Sequence, residues 1–377
     1  MKKLCAVVAV CLLATAGLQA QIFCWNLENY FDPADDPVTA DEAFTPGGEH
    51  RWTKRKYEAK RNLIAKTIIA SAERFGGRMP AIVGLCEVEN AKVLKALVEE
   101  SPLAAQRYRS VHRESPDPRG IDVALLFDPE RVHLLDFEFI TISEFATREI
   151  LYAKVAICAG KHFPVPDSHR LHGNPSDMRQ GNAGDTCGAK SPHKLHTQAS
   201  QAALGVVAAT CENCFADALP AGTLLPDTVH IFVNHWPSKY SGAKASEARR
   251  QAVCTALLHK LDSLHRSDSA AAVLLMGDFN ATPKEPSVMR LTTEGGLKNI
   301  TPKNGGTIRF KGKWEMIDQM LASPSAAQKI GPAEVFRPAF LLEDDKSFMG
   351  KKPRRTNVGP RYNAGASDHL PIIADIY

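Results

Sequence analysis

The chain has 377 residues, 44% hydrophobic and 23% charged, an ordinary globular balance with ample apolar content for a large core. Its formal net charge is only +4, too weak to argue for nucleic-acid binding from global charge. The length fits two or three domains, or one large α/β sandwich.

Lys2 and Lys3 precede an apolar stretch from Leu4 to Leu18, and Leu18-Gln19-Ala20 resembles a small-residue cleavage site. Residues 1–20 therefore read as a secretory signal, and the protein is expected to be exported, to the periplasm or outside the cell. A membrane anchor is the alternative, but the apolar run falls short of the roughly 20 residues a span needs. No Cys marks a lipoprotein cleavage point, and no later stretch is long and apolar enough to cross a membrane.

Ile22 to Asn26 is a short apolar run closing on a polar residue, which suits a buried strand with chemistry at its end. Residues 32–50, with Pro33, Pro37, Pro46, Gly47 and Gly48, form a loop. Thr53 to Ala72 is a helix, because Tyr57, Ile64 and Ile68, and Ala65, Ile69 and Ala72, fall at helical spacing. Ala81 to Cys86 is a buried strand leading into Glu87, and Val88 to Glu100 is a helix with Val93, Leu94, Leu97 and Val98 on one face. Strands follow at Tyr108–His112 and Ile121–Phe127 around a Pro/Gly turn, then at Val132–Ile142 and Ile150–Ile157.

Residues 158–228 break the pattern, being rich in His, Gly, Pro, Asn and Asp. They read as an irregular surface insertion carrying one short helix at Gln198–Thr210. Strand pattern resumes at Val229–Val233. A helix over Ser246–Leu264 aligns Val253, Leu257, Leu261 and Leu264. Ala272–Met276 is a strand ending at Gly277-Asp278, and Met316–Leu321 and Leu370–Ile376 are the last strands.

Two of the nine cysteines, Cys5 and Cys11, fall in the signal, and the odd remainder leaves at least one thiol unpaired within the chain. Cys24 and Cys86 lie in apolar runs and are expected as buried thiols. Any disulfides are expected in the 158–228 segment, which holds Cys158, Cys187, Cys211 and Cys214. With His162, His169, His172, His193 and His196 nearby, that segment could instead hold zinc, although zinc-finger spacing is absent.

Five strand ends carry chemistry: Trp25-Asn26-Leu27-Glu28-Asn29, Cys86-Glu87-Val88-Glu89-Asn90, Val233-Asn234-His235-Trp236-Pro237, Gly277-Asp278-Phe279-Asn280 and Ser367-Asp368-His369. Each places Asp, Glu, Asn or His where a core meets solvent. Hard oxygen ligands of this kind suit Mg²⁺, Mn²⁺ or Ca²⁺. Phosphodiester hydrolysis needs neutralised phosphate charge, an activated water and an assisted leaving oxygen, and these residue types supply all three.

These motifs, in this order, resemble the endonuclease/exonuclease/phosphatase superfamily, from about residue 22 to 377 with 158–228 interrupting. The resemblance implies one domain over 21–377, a four-layer α/β sandwich of two packed mixed β-sheets flanked by helices. It implies a divalent-metal-dependent phosphoesterase, with Glu87 as the main metal ligand and Asn26 and Asp368 beside it; Glu28 would lie near a second metal position. His235, Asp278, Asn280, Asp318 and His369 would be catalytic. Asp278 and His369 would prepare the attacking water, Asp318 would orient His369, and His235 and Asn280 would contact phosphate. Asn234, Arg119 and Asp122 are candidate substrate contacts, although Asp122 could instead pair with an Arg.

Two basic stretches bear on the substrate: Arg51, Lys54, Arg55, Lys56, Lys60 and Arg61, and Lys351, Lys352, Arg354, Arg355 and Arg361. The first reads more readily as a solvated helix face, the second equally as phosphate-directed charge or as a flexible loop. The expected partner is a phosphate ester, nucleic acid among the options, with a lipid or inositol phosphate as the alternative. A catalytically inactive binding protein on the same fold is the reading from another class, and the expected state is monomeric.

Overall fold

The computed structural model describes residues 20–158, 227–239 and 242–377. The signal segment up to residue 19, the helix at Gln198–Thr210, and the disulfide or zinc expectations on Cys187, Cys211 and Cys214 lie outside them.

Twelve strands build two six-stranded sheets. They are β1 (Ala20–Tyr30), β2 (Ile82–Val88), β3 (Arg109–His112), β4 (Asp122–Phe127), β5 (Val132–Ile140), β6 (Ile150–Ile157), β7 (Asp227–His235), β8 (Val273–Asp278), β9 (Lys298–Asn299), β10 (Asp318–Ala322), β11 (Glu334–Val335) and β12 (Ile372–Ile376). The first sheet runs β11-β12-β1-β2-β4-β3 and the second β5-β6-β7-β8-β10-β9. Each has one parallel pair, β1/β2 and β7/β8, and its other neighbours are antiparallel. Both sheets are thus mixed, as expected.

Strand alternation decides the layers. Ile22, Cys24, Ile82 and Cys86 point inward and pack with Leu151, Ala153, Ile231, Val233, Leu274 and Met276 of the other sheet. Their neighbours Phe23, Trp25, Val83 and Leu85 point outward, against Ile64 and Ile68 of α1 (Lys54–Ser71) and Val93, Leu94 and Leu97 of α2 (Ala91–Glu99). On the far side Tyr152, Phe232, Val273 and Leu275 meet Val253, Leu257 and Leu261 of α3 (Ala243–Ser267) and Val288 and Leu291 of α4 (Pro286–Thr293). Strands apolar on both faces are what this arrangement demands, and each fully buried large side chain contributes about 1.5–3 kcal/mol.

Helix α4 and the two-residue strands β9 and β11 have no counterpart in the sequence reading. Three small antiparallel ribbons, at 308–315, 342–353 and 357–362, decorate the C-terminal third. Cys24, Cys86, Cys158 and Cys254 are buried free thiols, so Cys158 stands apart from the disulfides expected around it.

The topology also fixes where chemistry gathers. The parallel strands β1, β2, β7 and β8 finish at one end of the sandwich. Antiparallel β10 starts there, since Asp318 pairs with Asp278, and so does β4, since Asp122 pairs with Val88.

Candidate active site

Glu87 owes its position to an irregularity in the sheet. On one side Cys86 and Val88 pair with consecutive residues of β4, Val123 and Asp122, so Glu87 is an extra residue. On the other, Asn26 and Tyr30 flank three unpaired residues of β1. Bulges of this kind re-aim side chains at the rims of sheets. The backbone is correspondingly left-handed, with φ of 49° at Glu28, 56° at Asn29 and 61° at Glu87. Glu87 does not serve the following helix, which Asn90 caps by accepting a 3.0 Å hydrogen bond from the Val93 N–H.

Asn26 joins the two sheets. Its Nδ2 donates to Glu87 Oε1 at 3.2 Å and to Asp278 Oδ2 at 3.0 Å. Its Oδ1 accepts from the Glu28 N–H at 2.9 Å, which fixes the amide orientation. Glu87 Oε2 accepts from the Asn29 N–H at 2.7 Å. Asn26, expected beside the metal, therefore offers hydrogen-bond donors to the two carboxylates, and its amide oxygen is turned to the backbone.

Asp278 ends β8 after Gly277, whose φ is 137°. A Cβ at Gly277 would stand 1.9 Å from the Asn234 carbonyl oxygen, so only glycine lets β7 and β8 approach here. Asp278 Oδ1 accepts from the Asn280 N–H at 2.8 Å, and Oδ2 from Asn280 Nδ2 at 3.2 Å. Burial, reinforced by Asp318, pushes the Asp278 carboxyl up to about 7, against the opposing pull of His369 and these donors.

His369 and Asp318 form a buried pair, with His369 Nδ1 2.7 Å from Asp318 Oδ2. Its Nε2 lies 3.9 Å from Asp278 Oδ2 and 3.8 Å from Asp368 Oδ1. Burial alone would lower its pKa, but Asp318 and Asp278 overcome that and hold the imidazole well above its usual range. His369 is thus a cation at neutral pH. Its backbone is pinned as well: Trp25 Nε1 donates to its carbonyl at 2.9 Å, and Ser367 Oγ accepts from its N–H at 2.9 Å while donating to the Asn26 carbonyl at 2.6 Å.

His235 has the opposite character. Its Nε2 lies 3.7 Å from both Glu87 Oε1 and Asp278 Oδ2. Burial, then Arg148, Arg119 and His369, push it well below the ordinary histidine range, so it is neutral. Its Nδ1 is buried without a hydrogen-bond partner, a capacity held open inside the site.

A third group faces these. Glu28 is buried, its Oε1 accepting from Arg355 Nε at 2.6 Å and its Oε2 from the Thr356 N–H at 2.8 Å. Arg355 Nη2 reaches Asp368 Oδ2 at 3.0 Å. Lys60 Nζ donates to the Glu28 carbonyl at 2.5 Å and to Thr356 Oγ1 at 2.6 Å. Burial and Asp368 raise Glu28 to about 7, and burial lowers Lys60 to about 8 against the pull of Glu28, Glu87 and Asp368.

The expected residues do not all share this site. Asn26, Glu87, His235, Asp278, Asn280, Asp318, Asp368 and His369 come together. Asn234 is fully buried; its Nδ2 donates to the Phe232 and Met276 carbonyls and its Oδ1 accepts from Trp236 Nε1 at 3.1 Å, so it braces β7 beneath the site and has nothing left for a substrate. Asp122 is likewise buried, accepting from the Ser115 N–H at 3.0 Å with His112 Nε2 at 3.6 Å, and its partner is not an Arg. Arg119 stays half-exposed near Asp117. Arg148, carried by no motif, is buried between Asp117 Oδ2 at 2.9 Å and the Trp236 carbonyl at 2.6 Å. Lys60, read as part of a solvated helix face, is 1% exposed. A basic residue one turn from the apolar stripe gives no sign, in sequence, that its tip enters a site.

The endonuclease/exonuclease/phosphatase family model matches this chain over residues 21–165 and 196–377, so 166–195 fall outside the match. No curated protein matches. Among solved structures, an endonuclease/exonuclease/phosphatase family protein from Bacteroides thetaiotaomicron is 14% identical with a TM-score of 0.49, over 95% of this chain and 97% of that one. The catalytic domain of human nocturnin with bound sulfate is also 14% identical with a TM-score of 0.49, over 95% and 94%. A mannosyl-6-phosphatase from Bacteroides thetaiotaomicron is 14% identical with a TM-score of 0.48, over 95% and 100%.

Proposed function

Because the chain belongs to the endonuclease/exonuclease/phosphatase family, we propose that it is a divalent-metal-dependent phosphodiesterase acting by in-line attack of water on phosphorus. One observation carries the reading. The Asp278 carboxylate accepts from Asn26 at 3.0 Å across the two sheets while its Oδ2 lies 3.9 Å from a cationic His369 and 3.7 Å from a neutral His235.

The division of labour follows from charge. Asp278, with its carboxyl at about 7, is a proton acceptor matched to neutral pH and takes the proton of the attacking water. Asn26 and Asn280 aim it. His369, held by Asp318, points a charged N–H at the phosphate and stabilises the negative charge that builds there. Asp318 acts through His369, as the orienter in an acid–base pair. His235 is a neutral donor for a second phosphate oxygen, kept neutral by burial first and then by Arg148 and Arg119.

Two sets of groups could hold a divalent cation. Asp278, Asp318 and His369 have ligand atoms within 4.8 Å of one another, but the 2.7 Å Asp318–His369 bond uses the proton an ion would have to displace. Glu87 and Asp368 are hard-oxygen donors, which suits Mg²⁺ or Mn²⁺ better, and these two residues would hold the ion. When bound, it neutralises phosphate charge and stabilises charge developing in the transition state.

The test is turnover of purified mature protein on DNA, RNA, sphingomyelin and inositol phosphates with Mn²⁺ or Mg²⁺, with and without chelator. Hydrolysis of a diester that chelation stops, and that His369→Ala lowers by about 10²–10⁴-fold, is the expected result. Unchanged turnover in His369→Ala refutes the mechanism.

A further inference from the structure

The two basic stretches of the sequence lie near opposite ends of the chain, and the fold brings them together at one edge of the site. Lys60 Nζ donates to Thr356 Oγ1 at 2.6 Å. One turn earlier on the same face of α1, Lys56 Nζ stands 5.0 Å from the centre of the Tyr362 ring. Trp52, just before the helix, meets that ring edge-on at 6.3 Å. Burial raises the Tyr362 hydroxyl while Arg354 and Arg55 pull it the other way, so one arginine of each stretch lies within electrostatic reach of the ring. The junction adjoins the chemistry, because Arg355 pairs with Glu28 at 2.6 Å and Asp368 at 3.0 Å.

The frame behind these cations is fixed. Tyr362 pairs with Asn357 in the ribbon of Asn357–Val358 and Arg361–Tyr362. The Asn363 N–H donates to the Thr356 carbonyl at 2.9 Å, and Arg354 Nε donates to the Asn363 carbonyl at 2.9 Å. On the other side Lys56 Nζ donates to the His50 carbonyl at 2.8 Å.

Most charges here already have partners. Lys54 lies 3.9 Å from Glu58, Arg61 2.7 Å from Glu100, Lys351 2.7 Å from Asp344 and Lys352 3.6 Å from Glu343. Among the described residues Arg51, Arg55 and Arg361 form no ion pair, and all three are exposed. Glu49 is the one remaining acid in residues 49–61 and 351–368. The edge of the site therefore carries a surplus of positive charge that the global balance hides.

The partner follows from that surplus. A small phosphate ester would end inside the site and leave these arginines unused. A membrane surface calls for apolar groups that insert, and Val358, 39% exposed, is the only large apolar side chain exposed in residues 49–61 and 351–368. A nucleic-acid strand repeats its negative charge at every nucleotide and meets cations beyond the phosphate being cleaved.

We propose that the start of α1 and the 357–362 ribbon form a binding track for the sugar–phosphate backbone of a nucleic-acid strand, in which Arg51, Arg55 and Arg361 contact phosphates next to the scissile one. This rests on the phosphodiesterase reading above and deepens it by naming a polymer as the substrate.

The experiment is fluorescence anisotropy of the purified protein with a labelled single-stranded oligodeoxynucleotide of about 12 nucleotides, in chelator, over a range of KCl concentrations. The wild type binds, and log Kd rises linearly with log salt. The variant Arg51→Gln/Arg55→Gln/Arg361→Gln binds about tenfold or more weakly, and its slope falls by about 2. Arg266→Gln removes an exposed arginine at the end of α3 that leads into the start of β8, away from the site, and changes neither quantity. If the triple variant does not fold, Arg55→Gln/Arg361→Gln is read the same way, with a slope change of about 1. An unchanged slope in the folded variant, an equal loss in Arg266→Gln, or binding to phosphatidylglycerol vesicles without binding to the oligonucleotide overturns the proposal. Turnover of bis(p-nitrophenyl) phosphate by the wild type with Mn²⁺ judges the phosphodiesterase reading separately. Strand binding without that turnover keeps the track and rejects the reading; turnover without strand binding does the reverse.

Discussion

At the scale of single residues, the two buried histidines are set in opposite states by what surrounds them. His369 lies against Asp318 and Asp278 and is held charged; His235 is held neutral by burial, with Arg148 and Arg119 adding to it. A pH profile follows. Asp278, raised to about 7, must be ionised to accept a proton, so kcat/KM rises with pH through a limb near 7. It falls again where His369 loses its proton, well above the usual histidine range. Asp318→Asn removes the main group raising His369, so the alkaline limb moves to lower pH and kcat drops by about 10²-fold or more. A profile of Asp318→Asn that keeps the wild-type alkaline limb contradicts this assignment. The residue types were legible in the sequence because each motif ends a strand in a group that a core cannot hold. Their protonation was not, since it depends on neighbours 51 to 252 positions away along the chain, as in the His369–Asp318 and Asn26–Asp278 contacts.

At the scale of elements, the site depends on strands that stop being regular. Left-handed backbone at Glu28, Asn29, Glu87 and Asn280, with the extended-glycine turn at Gly277, aims side chains that a continuous strand would send to alternate faces. Gly277→Ala places a Cβ on the Asn234 carbonyl and is expected to cost more than about 2 kcal/mol, read as a fall in the denaturation midpoint. A variant as stable as the wild type would mean that β7 and β8 can separate there without loss. Most long strands and helices were legible from periodicity. Helix α4 and the two-residue strands β9 and β11 were not: two residues show no period, and α4 makes barely two turns and packs its Val288 and Leu291 against α3.

At the scale of the whole molecule, two sheets are needed for one site. Asn26, Glu87, Asp368 and His369 belong to the first sheet and its flanks; His235, Asp278, Asn280 and Asp318 belong to the second. Neither half brings this set of side chains together without the other. Among the described residues no helix is long and apolar enough to cross a membrane. Export remains the expectation from Lys2, Lys3 and the apolar run after them. N-terminal sequencing of protein produced with its own leader should find Gln21 first, and an intact Met1 on the folded product would count against a cleaved signal.

The sequence by itself determined the family, through the order of its motifs, and with the family the layered fold. Motif order and strand-end polarity survive without coordinates, because burying an apolar run leaves its polar terminus only one place to go. The tertiary structure alone decided which of those polar residues meet. Asn234 and Asp122 sit in the same strand-end pattern as their neighbours, yet their hydrogen bonds are spent inside the fold. Lys60, read more readily as part of a solvated helix face, is buried against Thr356, and Arg355, read equally as phosphate-directed charge or as a flexible loop, is paired with Glu28. The reason is physical. Whether a polar side chain is free to act depends on how many of its hydrogen bonds the packing already satisfies, and that packing joins strands far apart in the chain.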